Sequence, residues 1–135
     1  MKKFVSLLAL TVIALSLAAC GAAGPTTQID ITLRDFQFTP GRFTVPAGSE
    51  ITVTATHTGA VVHDFLVMKL GTDVGHAFDE SDRANVYWEL KAEPGETKSG
   101  SFIAPLEPGE YQILCGTPGH LEAGMIGTLT VVAAQ

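Results

Sequence analysis

Short segments in which hydrophobic and polar residues alternate make up most of the chain after about residue 28. In EITVTATH at 50–57, apolar Ile51, Val53 and Ala55 alternate with threonines, as in a strand with one buried face. Gly and Pro separate this segment from others rich in Val, Ile, Thr and Phe, a pattern typical of a β-sandwich or barrel. We predict an all-β protein with strands at 29–38, 41–48, 50–57, 63–70, 86–92, 97–104, 110–116 and 125–132.

Residues 71–85 interrupt this pattern. They are polar and acidic, with Asp79, Glu80 and Asp82 close together. We interpret them as a loop or short helix inserted between strands, and favour a solvated excursion over a second functional site. The chain shows no convincing helix of normal length and no internal repeat.

The N-terminal segment predicts export. Lys2 and Lys3 precede an apolar run from 4 to 19, the plan of a secretory signal peptide. The run ends in LAAC, which resembles the lipobox of bacterial lipoproteins, and that resemblance makes Cys20 the lipidated first residue of the mature chain. An ordinary signal peptide or a membrane helix is the alternative, although the run is short for a membrane span. We therefore expect a signal peptide at 1–19, a lipidated Cys and flexible tether at 20–27, and one domain at 28–135.

Removal of the signal peptide makes an acidic chain more acidic. The formal net charge of −6 becomes −8 when Lys2 and Lys3 are lost. Such a chain is unsuited to binding nucleic acid, because contacts with the phosphates require Lys and Arg. Its charge suits binding to a basic protein partner. With Cys20 lipidated, Cys115 is the remaining thiol, so no intramolecular disulfide is expected. A lone thiol in an oxidising compartment is reactive unless something such as a metal occupies it.

The stretch CGTPGHLEAGM at 115–125 carries the candidate chemistry. It holds a thiol at Cys115, an imidazole at His120 and a thioether at Met125. Two His and one Cys with a weak axial Met form the ligand set of copper electron-transfer sites, so one His is missing from this loop. His63, placed where a strand would begin, is the best candidate. A single Cys, His or Met is commonly a core or surface residue with no metal bound. The combination of these donors at this spacing indicates a copper site. His57 and His76 lack a second donor at ligand spacing and are left out.

The order of these features resembles that in the cupredoxins, the small blue copper proteins. An isolated His at a strand end is followed by a strand ending YxxxC, by the Cys-His-Met loop and by a terminal GTLTV strand. The spacing within the loop is most similar to that of the auracyanins. The resemblance covers about residues 28–132 and implies a Greek-key β-sandwich of about eight strands in two sheets. It implies one copper ion with His63, Cys115 and His120 as strong in-plane ligands and Met125 as the weak axial ligand.

Some features around the predicted ligands differ from the family or stay open. Many cupredoxins have Asn directly after the first His, where this chain has Asp64. The backbone N–H of Thr117 is expected to donate to the Cys115 sulfur, as the matching residue does in the family. Whether the Val62 carbonyl is a fifth ligand is left open. A binuclear copper centre needs a second thiolate, a multicopper oxidase needs more domains, and zinc rarely uses a thioether.

The predicted function is therefore one-electron transfer, without enzymatic turnover, by a monomer outside the cytoplasm. The expected partners are an electron donor and an acceptor, such as cytochromes or a membrane complex, with a lipid anchor on the periplasmic side or at the cell surface. His120 is expected to be the more exposed His ligand, with Leu121 and Ala123 forming a docking patch. Two alternatives remain, namely a lipoprotein that stores or delivers copper and a purely structural surface sandwich.

Overall fold

A computed structural model describes residues 24–134, and this part of the chain is all-β. It contains nine strands and a single 3-10 turn at Asp82–Asn85. The strands are β1 (Gln28–Arg34), β2 (Gln37–Thr39), β3 (Arg42–Pro46), β4 (Glu50–His57), β5 (His63–Met68), β6 (Val86–Ala92), β7 (Thr97–Ile103), β8 (Gly109–Leu114) and β9 (Ile126–Val132). The predicted signal peptide at 1–19, Cys20 and the beginning of the tether lie outside the described residues. Within the described part, no helix has the length and apolar character needed to cross a membrane.

The strands form two sheets packed face to face. One sheet has the order β2-β1-β4-β7 and the other the order β3-β9-β8-β5-β6. The chain moves repeatedly from one sheet to the other, so β1 pairs with β4 and β3 pairs with β9 in parallel, whereas the other pairs are antiparallel. The predicted Greek-key sandwich is confirmed.

The first predicted strand, 29–38, is in fact two strands, which raises the number from about eight to nine. The chain reverses at Asp35 and Phe36, and β1 pairs with β2 through the register Arg34↔Gln37. Phe36 has a φ of 62°, a conformation that is uncommon for residues other than Gly. No Gly or Pro marks this turn, and the sequence shows it only as a shift of the apolar positions from Ile31 and Leu33 to Phe36 and Phe38. The turn places Asp35 and Phe36 at the end of the sandwich that carries the predicted ligands.

The main core lies between the sheets and explains the alternation along the strands. In β4, the side chains of Ile51, Val53 and Ala55 are fully buried while the intervening threonines are not. The same core reaches the end of the sandwich, where Cys115 and Met125 are part of it.

A second, smaller core lies on the outer face of the five-stranded sheet. Leu66, Met68 and Leu114 point away from the main core and pack with Val74 and Leu121. Phe78 also packs against this group. The expectation that residues 71–85 are simply a solvated excursion is therefore wrong in part, because the segment covers this outer face. Burial on both faces also explains the nearly continuous apolar sequence of β5.

Candidate metal centre

The four predicted ligands meet at one end of the sandwich, brought there by different elements. His63 is the first residue of β5, Cys115 directly follows β8, and Met125 directly precedes β9. His120 lies in the turn between β8 and β9, where its N–H donates to Thr117 O at 3.1 Å. All four side chains are buried.

Three donor atoms converge in this cluster. His63 Nδ1 lies 3.1 Å from His120 Nδ1, and Cys115 Sγ lies 3.4 Å from His120 Nδ1 and 3.9 Å from His63 Nδ1. Metal bonds of about 2.0 Å to nitrogen and 2.3 Å to sulfur, the lengths at zinc sites, would separate the donors of a flat trigonal centre by about 3.5 to 3.7 Å. The three side chains therefore fit one first-row metal ion, and two imidazoles with one thiolate are the in-plane set of a type 1 copper site.

Met125 is held close to these donors by the backbone of the ligand loop. The Cys115 N–H donates to Met125 O at 3.1 Å, and the Met125 N–H donates to His120 O at 2.9 Å. Gly119 and Gly124 have φ values of 85° and 95°, which allow the tight turns between the ligands. The Met125 side chain is fully buried in the main core. Its role as axial ligand stays a prediction.

The Cys115 sulfur is buried and receives a backbone hydrogen bond. The Asp64 N–H donates to Sγ at 3.3 Å. Burial raises the pKa of the Cys115 thiol, while the N–H groups of Asp64 and Thr117 act in the opposite direction. The backbone hydrogen bond to Sγ comes from Asp64, and the bond expected from the Thr117 N–H stays a prediction; such bonds tune a metal-bound thiolate.

A cross-loop contact is present despite the Asp at position 64. The Thr117 hydroxyl donates to Val62 O at 3.2 Å and lies 3.5 Å from Asp64 Oδ2. Because an ionised carboxylate only accepts hydrogen bonds, Thr117 supplies the donor that Asp64 lacks. The contact also occupies the Val62 carbonyl that was considered as a fifth ligand.

Two residues outside the predicted ligand set contact His63, namely Asp35, which the sequence interpretation missed, and His57, which it left out as a ligand but expected near His63. Asp35 Oδ1 lies 3.3 Å from His63 Nε2. The His57 ring stacks on the His63 ring with centroids 4.7 Å apart. Burial lowers the pKa of His63, as do the neighbouring imidazoles of His57 and His120, against the effect of Asp35. His63 is therefore held in the neutral form that binds metal.

His57 has its own hydrogen-bond partners within the loop between β4 and β5. The Gly59 N–H donates to His57 Nδ1 at 3.1 Å, so His57 Nε2–H donates to Val61 O at 2.8 Å. Its proximity to His63 in sequence was a usable signal, whereas Asp35 offered none. His76 is exposed in the 71–85 segment.

The surface beside His120 differs from the expected one. His120 is 6% exposed and His63 is 0% exposed, in the expected order. Leu121 is only 7% exposed because it packs into the second core, so its assignment to a docking patch is wrong. The apolar residue that is exposed beside His120 is instead Phe36. Its side chain is 47% exposed, and its ring meets the His120 ring edge-on with the ring centroids 5.1 Å apart.

Fold and donor set together define a small β-sandwich metalloprotein with the arrangement of a type 1 copper site. The sequence profile of the cupredoxin-like domain matches residues 7–131, and the chain belongs to this family. The reduced auracyanin of the photosynthetic bacterium Roseiflexus castenholzii is 33% identical, with a TM-score of 0.70, over 81% of this chain and 99% of that one. The predicted likeness to the auracyanins is confirmed.

Two curated relatives agree with this family. Auracyanin-B of Chloroflexus aurantiacus is 33% identical over 85 residues, which cover 53% of this chain and 36% of that protein. The chain thus spans little more than a third of auracyanin-B in this match. The copper-resistant cuproprotein CopI of Rubrivivax gelatinosus is 26% identical over 117 residues, covering 82% of this chain and 69% of that protein.

Proposed function

We propose that this protein is a blue copper one-electron carrier, with His63, Cys115 and His120 as in-plane ligands and Met125 as the axial ligand. The observation that carries the proposal is the buried trigonal set of two Nδ1 atoms and one Sγ atom, 3.1 to 3.9 Å apart. Copper bound by such a set supplies the change between Cu(II) and Cu(I).

The protein's part in this function is to hold the donor atoms in fixed positions and to keep water away from them. Backbone hydrogen bonds among Cys115, His120 and Met125 fix the ligand loop, and the burial of all four side chains excludes water. A rigid donor set suits both oxidation states, which keeps the reorganisation on electron transfer small.

An optical spectrum of the oxidised, copper-loaded protein tests this proposal. We expect an intense band in the red region from charge transfer between Cys115 and Cu(II). The band should be lost in Cys115→Ser, and circular dichroism should show that this variant still folds. Copper binding by the unaltered protein without such a band would contradict the proposal.

We further propose that electrons leave and enter beside His120, through a docking surface formed by Phe36, Val61 and Pro118. All three are exposed residues of the turns at the ligand end. The partners would be redox proteins, a donor and an acceptor, with basic surfaces that suit the acidic chain. Phe36→Ala should slow electron exchange with such a protein. Leu106→Ala is the matched control, because Leu106 is 82% exposed in the β7–β8 turn at the opposite end.

The proposed location is outside the cytoplasm, on a membrane, through a lipid on Cys20. The support is the sequence pattern of 1–20, in which a basic start and an apolar run lead to LAAC. Cys20→Ser should leave the copper domain folded and move it from the membrane fraction to the soluble fraction. Membrane association that survives the substitution would refute the lipid anchor.

Copper handling is the second candidate, and the likeness to CopI favours it. Sites that deliver Cu(I) usually offer several accessible Met residues. In the part that the structure describes, the methionines are Met68 and Met125, and both are fully buried. Electron transfer is therefore preferred. Copper sensitivity in a deletion strain, with unchanged respiration or photosynthesis, would favour copper handling instead.

A further inference from the structure

The carboxylate of Asp35 is fixed in place beside the metal centre. Its Oδ1 atom accepts a hydrogen bond from the Ala60 N–H at 2.9 Å, and the same atom lies 3.3 Å from His63 Nε2. An Asp side chain is ordinarily a carboxylate at neutral pH, and the bond from the Ala60 N–H stabilises that form. A side chain from the β1–β2 turn is thus anchored to the loop that precedes His63.

Gly59 leaves the space for this contact. A Cβ atom at position 59 would collide with Asp35 Oδ1 and would lie 2.9 Å from His63 Nε2. Real Cβ atoms essentially never come closer than 3.0 Å to another heavy atom, so a larger residue would separate the carboxylate from the imidazole. The loop and the turn are therefore fitted to each other at this point.

The contact determines which nitrogen of His63 carries the proton. A neutral imidazole has one N–H donor and one acceptor nitrogen, and a carboxylate can only accept. The proton therefore lies on Nε2, and the lone pair of Nδ1 points towards Cys115 and His120, where their donor atoms converge.

We propose that Asp35 is a positioning residue of the copper site, which fixes the His63 tautomer and orientation and strengthens His63 as a ligand. This inference rests on the proposed function. Carboxylates that accept from metal-bound His are known to orient the ring and raise its basicity. A more basic imidazole stabilises Cu(II) more than Cu(I), so Asp35 lowers the reduction potential.

Three variants separate the geometry of this contact from its charge. Asp35→Ala removes both, and Gly59→Ala disturbs the contact but keeps the charge. Asp30→Asn removes one negative charge from an exposed position of β1, about 16 Å along the chain from Asp35 at 3.3 Å per residue. It is the matched control for general electrostatics.

The first measurement is ¹⁵N NMR of the imidazoles in the copper-free proteins at about pH 8, above the ordinary imidazole pKa. The unaltered protein and Asp30→Asn should show His63 with its proton on Nε2. Asp35→Ala and Gly59→Ala should show a mixture of tautomers. An unchanged Nε2–H tautomer in both variants would overturn the proposal, and this result needs no copper.

The second measurement is Cu(II) affinity and reduction potential. Loss of such an outer carboxylate typically weakens metal binding 10- to 100-fold. If Cu(I) binding is unchanged, the potential of Asp35→Ala should rise by about 60 to 120 mV, at 59 mV per tenfold change for one electron. A shift no larger than that of Asp30→Asn would overturn the role of Asp35 even when the red band is present in every protein.

Absence of the red band from the copper-loaded unaltered protein would instead refute the proposed function. The tautomer measurement would then decide on Asp35 alone. Should Asp35→Ala fail to fold, Gly59→Ala and Asp35→Asn carry the same test. The Asn oxygen can still accept from Nε2–H, so Asp35→Asn should keep the tautomer and raise the potential by more than Asp30→Asn.

Discussion

Leu121→Ala tests whether the 71–85 segment and the ligand loop share a structural core. The Leu121 side chain packs with Leu66, Leu114 and Val74 on the outer face of the five-stranded sheet. Truncation to Ala removes about three carbon groups, or about 2.4 kcal/mol at 0.8 kcal/mol each. Buried Leu→Ala changes cost about 2–5 kcal/mol. Because the covering segment is a surface loop that can partly collapse, we expect about 2–3 kcal/mol.

Urea unfolding of the copper-free protein measures this loss without the added stability of bound metal. Trp88, the only Trp in the sequence, packs against the main core and reports unfolding by fluorescence. For a small domain, the expected loss moves the midpoint by about 1–2 M urea. The exposed Leu106→Ala serves as control and should change stability by less than about 0.5 kcal/mol. Equal midpoints for Leu121→Ala and Leu106→Ala would refute the second core.

Two further predictions concern single side chains. Met125→Leu should keep copper and colour, change stability by less than about 1.5 kcal/mol and raise the potential, whereas Met125→Gln should lower it; voltammetry that gives equal potentials would exclude Met125 as a ligand. Tyr111→Phe removes the hydroxyl that donates to Glu107 O at 2.7 Å and should cost about 0.5–1.5 kcal/mol at neutral pH. Burial raises the pKa of Tyr111, so the unfolded chain loses that proton first and stability should fall above about pH 10. This alkaline fall should be smaller in Tyr111→Phe, and an identical pH profile would contradict the assignment.

The strands and the ligand loop could be predicted from the sequence because both depend on residues that are close together in the chain. Alternation of apolar residues and threonines located β4 at 50–57 with its observed bounds. The spacing of Cys115, His120 and Met125 follows from a tight turn between two adjacent strands, so the donors are close in space because they are close in the chain. His63 could be predicted because the ligand loop visibly lacked a second imidazole.

Features that join distant segments were decided only by the tertiary structure. Asp35 precedes His63 by 28 residues, and nothing local to either residue shows that the β1–β2 turn brings them together. The orientation of Leu121 likewise depends on a segment more than 35 residues earlier in the chain, so an apolar residue beside His120 could be assigned to the surface in error. Periodicity shows which residues share a face of a strand, but the partner that covers the face is chosen by the packing of the whole domain.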